Sequence, residues 1–152
     1  MELDQEQIKL RRVRREDYSW IKHWFADPWL DQALGPIDEA WMDHVLAAHD
    51  GVELVGEVDD APVAMIGLVW AKVGQPLHAV TSLAVHPAKR RCGYGRQILI
   101  AALQWHEIPK AAGWMAYVDD DNHPPAQMLR SMGWRAQGGH GNLRRFILKS
   151  DR

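Results

Sequence analysis

The stretch of this 152-residue chain best equipped for chemistry is Leu83-Ala84-Val85-His86-Pro87-Ala88-Lys89-Arg90-Arg91-Cys92-Gly93-Tyr94-Gly95-Arg96. An apolar, β-branched run ends at a proline, a basic run follows, and two glycines open an amphipathic segment. This pattern describes an anion cradle. The first turn of a helix leaves backbone N–H groups outside the helical ladder and carries a partial positive charge, and glycine lets the backbone approach a phosphate. Lys89, Arg90, Arg91 and Arg96 add charge-assisted hydrogen bonding. A Gly-x-Gly alone reads equally as a turn with a solvated basic face. The phosphate loop of nucleoside triphosphatases does not fit, because no Gly-Lys-Ser/Thr follows. The dinucleotide fingerprint fails as well, since Gly93-Tyr94-Gly95-Arg96-Gln97-Ile98 lacks its third glycine.

The elements that must position this segment follow from periodicity. Ile8 to Val13 alternates, as a half-buried strand does. From Glu16 the period changes, and Tyr18, Ile21, Trp24 and Phe25 mark an amphipathic helix ending before Pro28. Asp38 caps a second helix through Trp41, Val45 and Leu46. Val52–Val58 and Val63–Val73 around Asp59-Asp60 read as a hairpin. Leu77–Val85 is a third core strand. A helix over about 95–107 follows, with Ile98, Leu99, Ala102, Leu103 and Trp105 on its buried side. Trp114–Val118 is a short strand. Asn122 stands at an N-cap position with Pro124 and Pro125 in the first turn, and that helix stops at Gly133. Residues 134–137 and 143–149 close the chain as an antiparallel pair. The expected order is βααβββαβαββ, a mixed, mostly antiparallel sheet with helices on both faces, in one α/β (α+β) domain spanning 1–152.

Composition excludes several classes. Twenty acidic residues against eighteen basic ones give a net charge of −2, which offers neither nucleic acid nor an anionic membrane a basic face. With 47% hydrophobic and 25% charged residues the chain is a globular domain. Cys92 is the lone cysteine, so neither an internal disulfide nor a cysteine-built zinc site is available. His44 and His49 are five apart and miss the i,i+4 spacing of a shared helical face, so no metal site is expected. The start, Met-Glu-Leu-Asp-Gln-Glu, is no secretory leader, and Ala61–Ala71 is too short to span a bilayer. A cytoplasmic protein is expected.

Taken together, these residues resemble the GCN5-related N-acetyltransferases (GNAT). The family's Arg/Gln-x-x-Gly-x-Gly/Ala loop is matched by Arg90-Arg91-Cys92-Gly93-Tyr94-Gly95, after Val85-His86-Pro87 in place of its Val-x-Pro. A strand, an Asn and a short helix ending in Gly-aromatic are matched by Val118, Asn122 and Gly133-Trp134. The element order agrees from Ile8 to Lys149. The resemblance implies acetyl-coenzyme A as cosubstrate, with pantetheine in a wedge between the strand of Leu83-Ala84-Val85 and that of Met115-Ala116-Tyr117. It places the pyrophosphate on the backbone of Arg91–Arg96 and the coenzyme's arm against Asn122. It gives the backbone N–H near Ala84 or Val85 the task of polarising the thioester carbonyl. The partner implied is a small-molecule or peptide amine, and homodimers are common in the family.

Two roles stay open on this reading. Many members protonate the leaving thiolate with a tyrosine seven residues after the Asn, where this chain has Leu129, or Arg130 if the helix shifts by one. Tyr117 and Tyr94 are the substitutes. A base is needed because an amine is mostly protonated at neutral pH. Its candidates are His78, Asp27, Asp31, Asp38 and Glu39, with Thr81 or Ser82 holding a relaying water. Acceptor specificity is expected from residues 27–39, with Trp24, Asp27, Trp29 and Asp31 offering charge and cation–π contacts to a cationic amine. The alternative is a non-catalytic domain of the same fold that senses acyl-coenzyme A.

Overall fold

In the computed structural model, which describes residues 7–121 and 123–150, these signals resolve into seven strands and five α-helices among the described residues. The strands are β1 (Lys9–Arg12), β2 (Gly51–Val58), β3 (Ala61–Val69), β4 (His78–Val85), β5 (Gly113–Asp119), β6 (Arg135–His140) and β7 (Leu143–Lys149). The helices are α1 (Tyr18–Trp24), α2 (Pro28–Leu34), α3 (Glu39–Ala47), α4 (Tyr94–Leu103) and α5 (His123–Ser131). The strand order is β1-β2-β3-β4-β5-β7-β6. Contacts group the chain into two compact units: residues up to Gly67 with Ser82–Ile108, and Leu68–Thr81 with Pro109 onward.

One helix more is present than the periodicity predicts. Pro28 stops α1 as expected, but its fixed φ also suits a first helical position, and it opens α2. The Asp27 carboxylate accepts the Leu30 N–H at 3.1 Å and caps that turn. Asp38 caps α3 in the same way, accepting the Trp41 N–H at 2.8 Å. The Asp59-Asp60 turn joining β2 to β3 takes left-handed angles at both residues (φ 52 and 65). Such paired positive φ values match the twist of a two-residue hairpin.

The first unit is a sheet between two helical layers. Val55, Met65 and Ala84 pack with Ile21, Trp24, Phe25, Leu30 and Met42, so α1–α3 cover one face. Gly56, one residue along β2 and therefore on the opposite face, leaves room for Ile98 of α4. Asp17, only 3% exposed, ties β1 to α1. Its carboxylate accepts two bonds from Arg11 at 2.8 Å, the Arg14 N–H at 2.7 Å and the Trp20 indole N–H at 2.9 Å. Burial pushes the carboxyl upward, but these donors outweigh it and hold Asp17 below the usual carboxylate range. Arg11 also reaches Glu57 at 3.0 Å.

In the second unit β4 and β5 pair in parallel from His78↔Trp114 to Val80↔Ala116, and β7 runs antiparallel to β5 along its length. Gly133 (φ 92) ends α5. The Trp134 N–H returns to the Leu129 carbonyl at 3.0 Å and the Gly133 N–H to Arg130 at 3.1 Å, satisfying the helix's last carbonyls as the sequence predicts. Strand β6, exposed along its whole length, pairs with β7 through a register shift between Ala136 and Gly139. Gly138 has φ 76 there, and a side chain on Gly139 would strike the Leu143 carbonyl.

Candidate functional site

The basic loop lies in the first unit and is built from its flanking elements. The His86 N–H bonds the Val63 carbonyl at 2.9 Å, fixing the end of β4, and its Nδ1 accepts the Ala88 N–H at 3.0 Å. The chain then turns through Arg91 (φ 66) and Gly93 (φ 83) before α4 begins at Tyr94. The first helical bond runs from the Gln97 N–H to the Gly93 carbonyl at 3.1 Å. The two glycines do different work. Gly93 supplies the left-handed angle, whereas Gly95 has ordinary backbone angles. A Cβ at Gly95 would sit 3.5 Å from Leu83 and 3.7 Å from Val85, which is plain van der Waals contact. Steric need within the protein therefore does not demand glycine at 95. A bare backbone at the N-terminal turn of α4 instead suits the close approach of a phosphate, the fit expected of a coenzyme cradle. Lys89, Arg90, Arg91, Cys92 and Arg96 are exposed around it.

Arg90 already holds an anion. Its Nη2 bonds the Asp27 carboxylate at 3.0 Å, and its guanidinium lies 5.5 Å from the centre of the Trp29 ring. The Arg90 bond, followed by the Leu30 N–H, keeps Asp27 below the usual carboxylate range. The expected cofactor loop and the expected acceptor segment thus meet through Asp27, Trp29 and Arg90. Trp29 is 54% exposed and Asp31 is exposed as well. Trp24 is different. At 3% exposure, with its ring 4.7 Å from Trp20 and 5.0 Å from His86, it belongs to the core and is not open to an acceptor as the sequence suggested.

His78, a candidate base, proves to be a structural histidine of the second unit. It is 2% exposed. Nδ1 accepts the Ala71 N–H at 2.9 Å, so Nε2 carries the proton and donates to the Pro109 carbonyl at 2.7 Å. Trp70 and Trp114 flank the ring at 5.2 and 5.0 Å. Neither nitrogen remains to accept an amine proton. His78→Ala is expected to cost about 2 kcal/mol of stability by leaving two backbone groups unpaired. Thermal unfolding checks this, and retention of wild-type stability would return His78 to the list of bases.

Asp38 is used as a cap, and Glu39 is exposed. Tyr117 is 47% exposed on β5, opposite Arg145. Leu129, at the usual tyrosine position, is 4% exposed, and Arg130 lies over the Phe146 ring at 5.2 Å. Asn122 lies outside the described residues. Among the described residues no group of three potential metal ligands occurs, and no helix is long and apolar enough to cross a membrane.

One titratable group escaped the sequence reading. Glu53 interrupts the apolar run of β2 and accepts a hydrogen bond from Ser82 Oγ of β4 at 3.3 Å. Glu53 is half-buried, and desolvation of its carboxyl, with no cationic partner among the described residues, outweighs the Ser82 bond and pushes it up to about 7. Its only local signal was an acid between Val52 and Leu54, which alternation assigns to a solvated face.

The family model described as the acetyltransferase (GNAT) family matches residues 12–134. The chain belongs to the GNAT family. It is 31% identical over 152 residues to a mycothiol acetyltransferase of Acidothermus cellulolyticus, covering 89% of this chain and 46% of that protein. The chain therefore spans about half the length of this curated GNAT relative. Solved structures agree in fold. An acetyltransferase from Thermus thermophilus superposes with a TM-score of 0.79 at 14% identity, covering 95% of this chain and 97% of that one. A spermidine N-acetyltransferase from Vibrio cholerae, solved with coenzyme A and spermine, gives 0.78 at 15% identity, covering 95% and 96%.

Proposed function

We propose that this GNAT domain transfers the acetyl group of acetyl-coenzyme A to a primary amine of a small molecule or peptide. The observation that carries the reading is the loop from Arg90 to Arg96. Its left-handed Arg91 and Gly93, bare Gly95 and ring of exposed cations stand at the N-terminus of a ten-residue helix. In this reading the backbone of 91–96 binds the pyrophosphate, and the Leu83–Val85 end of β4 aligns the pantetheine arm. The Val85 backbone N–H stabilises the oxygen charge that develops as the carbonyl is attacked. The bound thioester supplies an acyl carbon activated toward an amine, with a thiolate as leaving group. Because thiols ionise near 8.5, that thiolate departs at neutral pH without an obligatory acid, which accommodates Leu129 in the tyrosine position. Trp29, against Arg90 of the loop, and Asp31, two residues further along α2, are both exposed and offer an aromatic face and a carboxylate to a cationic acceptor.

The reading is tested by following free thiol during incubation with acetyl-coenzyme A and a panel of amines. Suitable members are spermidine, glucosamine, a lysine-containing peptide and a peptide with a free N-terminus. Amine-dependent thiol release is expected with at least one of them. Saturable acetyl-coenzyme A binding with no amine-stimulated release would assign the domain to acyl-coenzyme A sensing instead.

A further inference from the structure

Between the helical layer α1–α3 and the strands beneath it, an isolated carboxylate faces a hydroxyl. Glu53 lies two residues before Val55 on β2, and Ser82 lies two residues before Ala84 on β4. Val55 and Ala84 both belong to the core cluster under α1–α3, so alternation turns Glu53 and Ser82 toward that same side. The 3.3 Å bond between them joins the acid to the strand whose next three residues, Leu83–Val85, were assigned to the acyl arm. We propose that Glu53, acting through the Ser82 hydroxyl, is the base that takes the proton from the incoming amine. The inference rests on the acetyl-transfer reading above.

Among the described residues no cation competes for the Glu53 carboxylate. From β1, the Val13 N–H is spent on the Glu53 backbone carbonyl at 3.0 Å, and Arg11 is engaged by Asp17 and Glu57. Arg12 is turned to Glu107 at 2.9 Å and to the Trp105 ring. α3 contributes Val45 and Leu46 beside Glu53, while its charged Glu39 and Asp43 and its His44 are exposed. Just beyond β4, the next titratable group past Ser82 is His86, whose ring packs on Trp24 and whose Nδ1 is occupied by the Ala88 N–H. A carboxylate desolvated in this way is far more basic than a surface acid, which brings it close to the working pH of a general base.

The step balances. The ammonium N–H bond breaks toward Ser82 Oγ while the Ser82 hydroxyl proton passes to Glu53 Oε1. The freed nitrogen pair forms the C–N bond, and the C–S pair leaves with sulfur. The surplus proton on nitrogen goes to the departing thiolate, and Glu53 later returns its proton to water.

The test uses the amine that releases most thiol in the panel above, with kcat/KM measured from pH 5.5 to 9.5. Wild type is expected to show an inflection near pH 7. Glu53→Gln is expected to lower kcat/KM at pH 7 by about 10²–10³-fold and to lose that inflection. Its deficit should shrink at high pH, where free amine is abundant, and acetyl-coenzyme A affinity should stay within about twofold. Ser82→Ala is expected to fall by about tenfold and to keep the inflection, because water can bridge in its place. Wild-type activity and inflection in Glu53→Gln would overturn the assignment of the base and leave acetyl transfer standing. Absence of amine-dependent thiol release in the wild type would overturn both.

Discussion

Gly95→Glu is expected to lose at least 100-fold in acetyl-coenzyme A affinity while folding normally. The N-terminal turn of α4 and its basic neighbours favour negative charge, and a glutamate there supplies an internal anion in place of the phosphate. A loss of this size is about 2.7 kcal/mol, enough to erase the thermal shift given by ligand at a hundred times its dissociation constant. Position 95 is the informative one because its backbone is unstrained and a Cβ meets only ordinary contacts with Leu83 and Val85. Gly95→Ala is therefore the matched control, with stability near wild type and a smaller loss of affinity. Gly93 is a poorer site for the test. Its φ of 83 makes any side chain cost about 1–2 kcal/mol of stability, which mixes folding with binding. Titration of both position-95 variants by calorimetry decides the matter, and undiminished binding in Gly95→Glu would remove the loop from the coenzyme site.

Asp17→Ala is expected to destabilise the chain by about 3 kcal/mol, the low end for breaking a buried charged pair. The low end applies because Arg11 retains Glu57 as a partner. The loss has three sources: the twin bonds to Arg11, the Arg14 N–H and the Trp20 indole N–H. For a domain of this size it corresponds to a fall in Tm of about 6–12 °C. The pH dependence has a definite sign. Asp17 is held below its ordinary value of 3.8, so its contribution is complete above that pH and disappears as pH falls through the lowered folded value. The gap between wild type and variant should be constant from pH 5 to 8 and close in acid. A pH-independent gap would assign the loss to packing alone.

What could be read from the sequence was what is local. The Arg90–Gly95 pattern, the Asp38 cap and the Gly133 stop each act over a few residues, and each keeps its place in the fold. Pro28 misled because proline ends one helix and begins another with equal ease, and only the Asp27 cap separates the two uses. His78 looked available because its partners, Ala71 and Pro109, and its flanking rings, Trp70 and Trp114, are distant in sequence or separated by turns. Glu53 carries no signal of its environment along the chain for the complementary reason. Its environment is made by α3 and by Ser82, twenty-nine residues away, and no window along β2 contains either.

The unbroken exposure of β6 bears on how the protein behaves among other chains. A bare terminal strand carries backbone donors and acceptors that invite the growth of intermolecular sheet, the first step toward fibrils. Here the invitation is spoiled from within. The Ala136–Gly139 shift, the left-handed Gly138 and the absence of side chains at 138 and 139 bend the strand and break the even spacing that an incoming segment must match. The glycines of β6, which add nothing to the core, therefore act as colloidal protection.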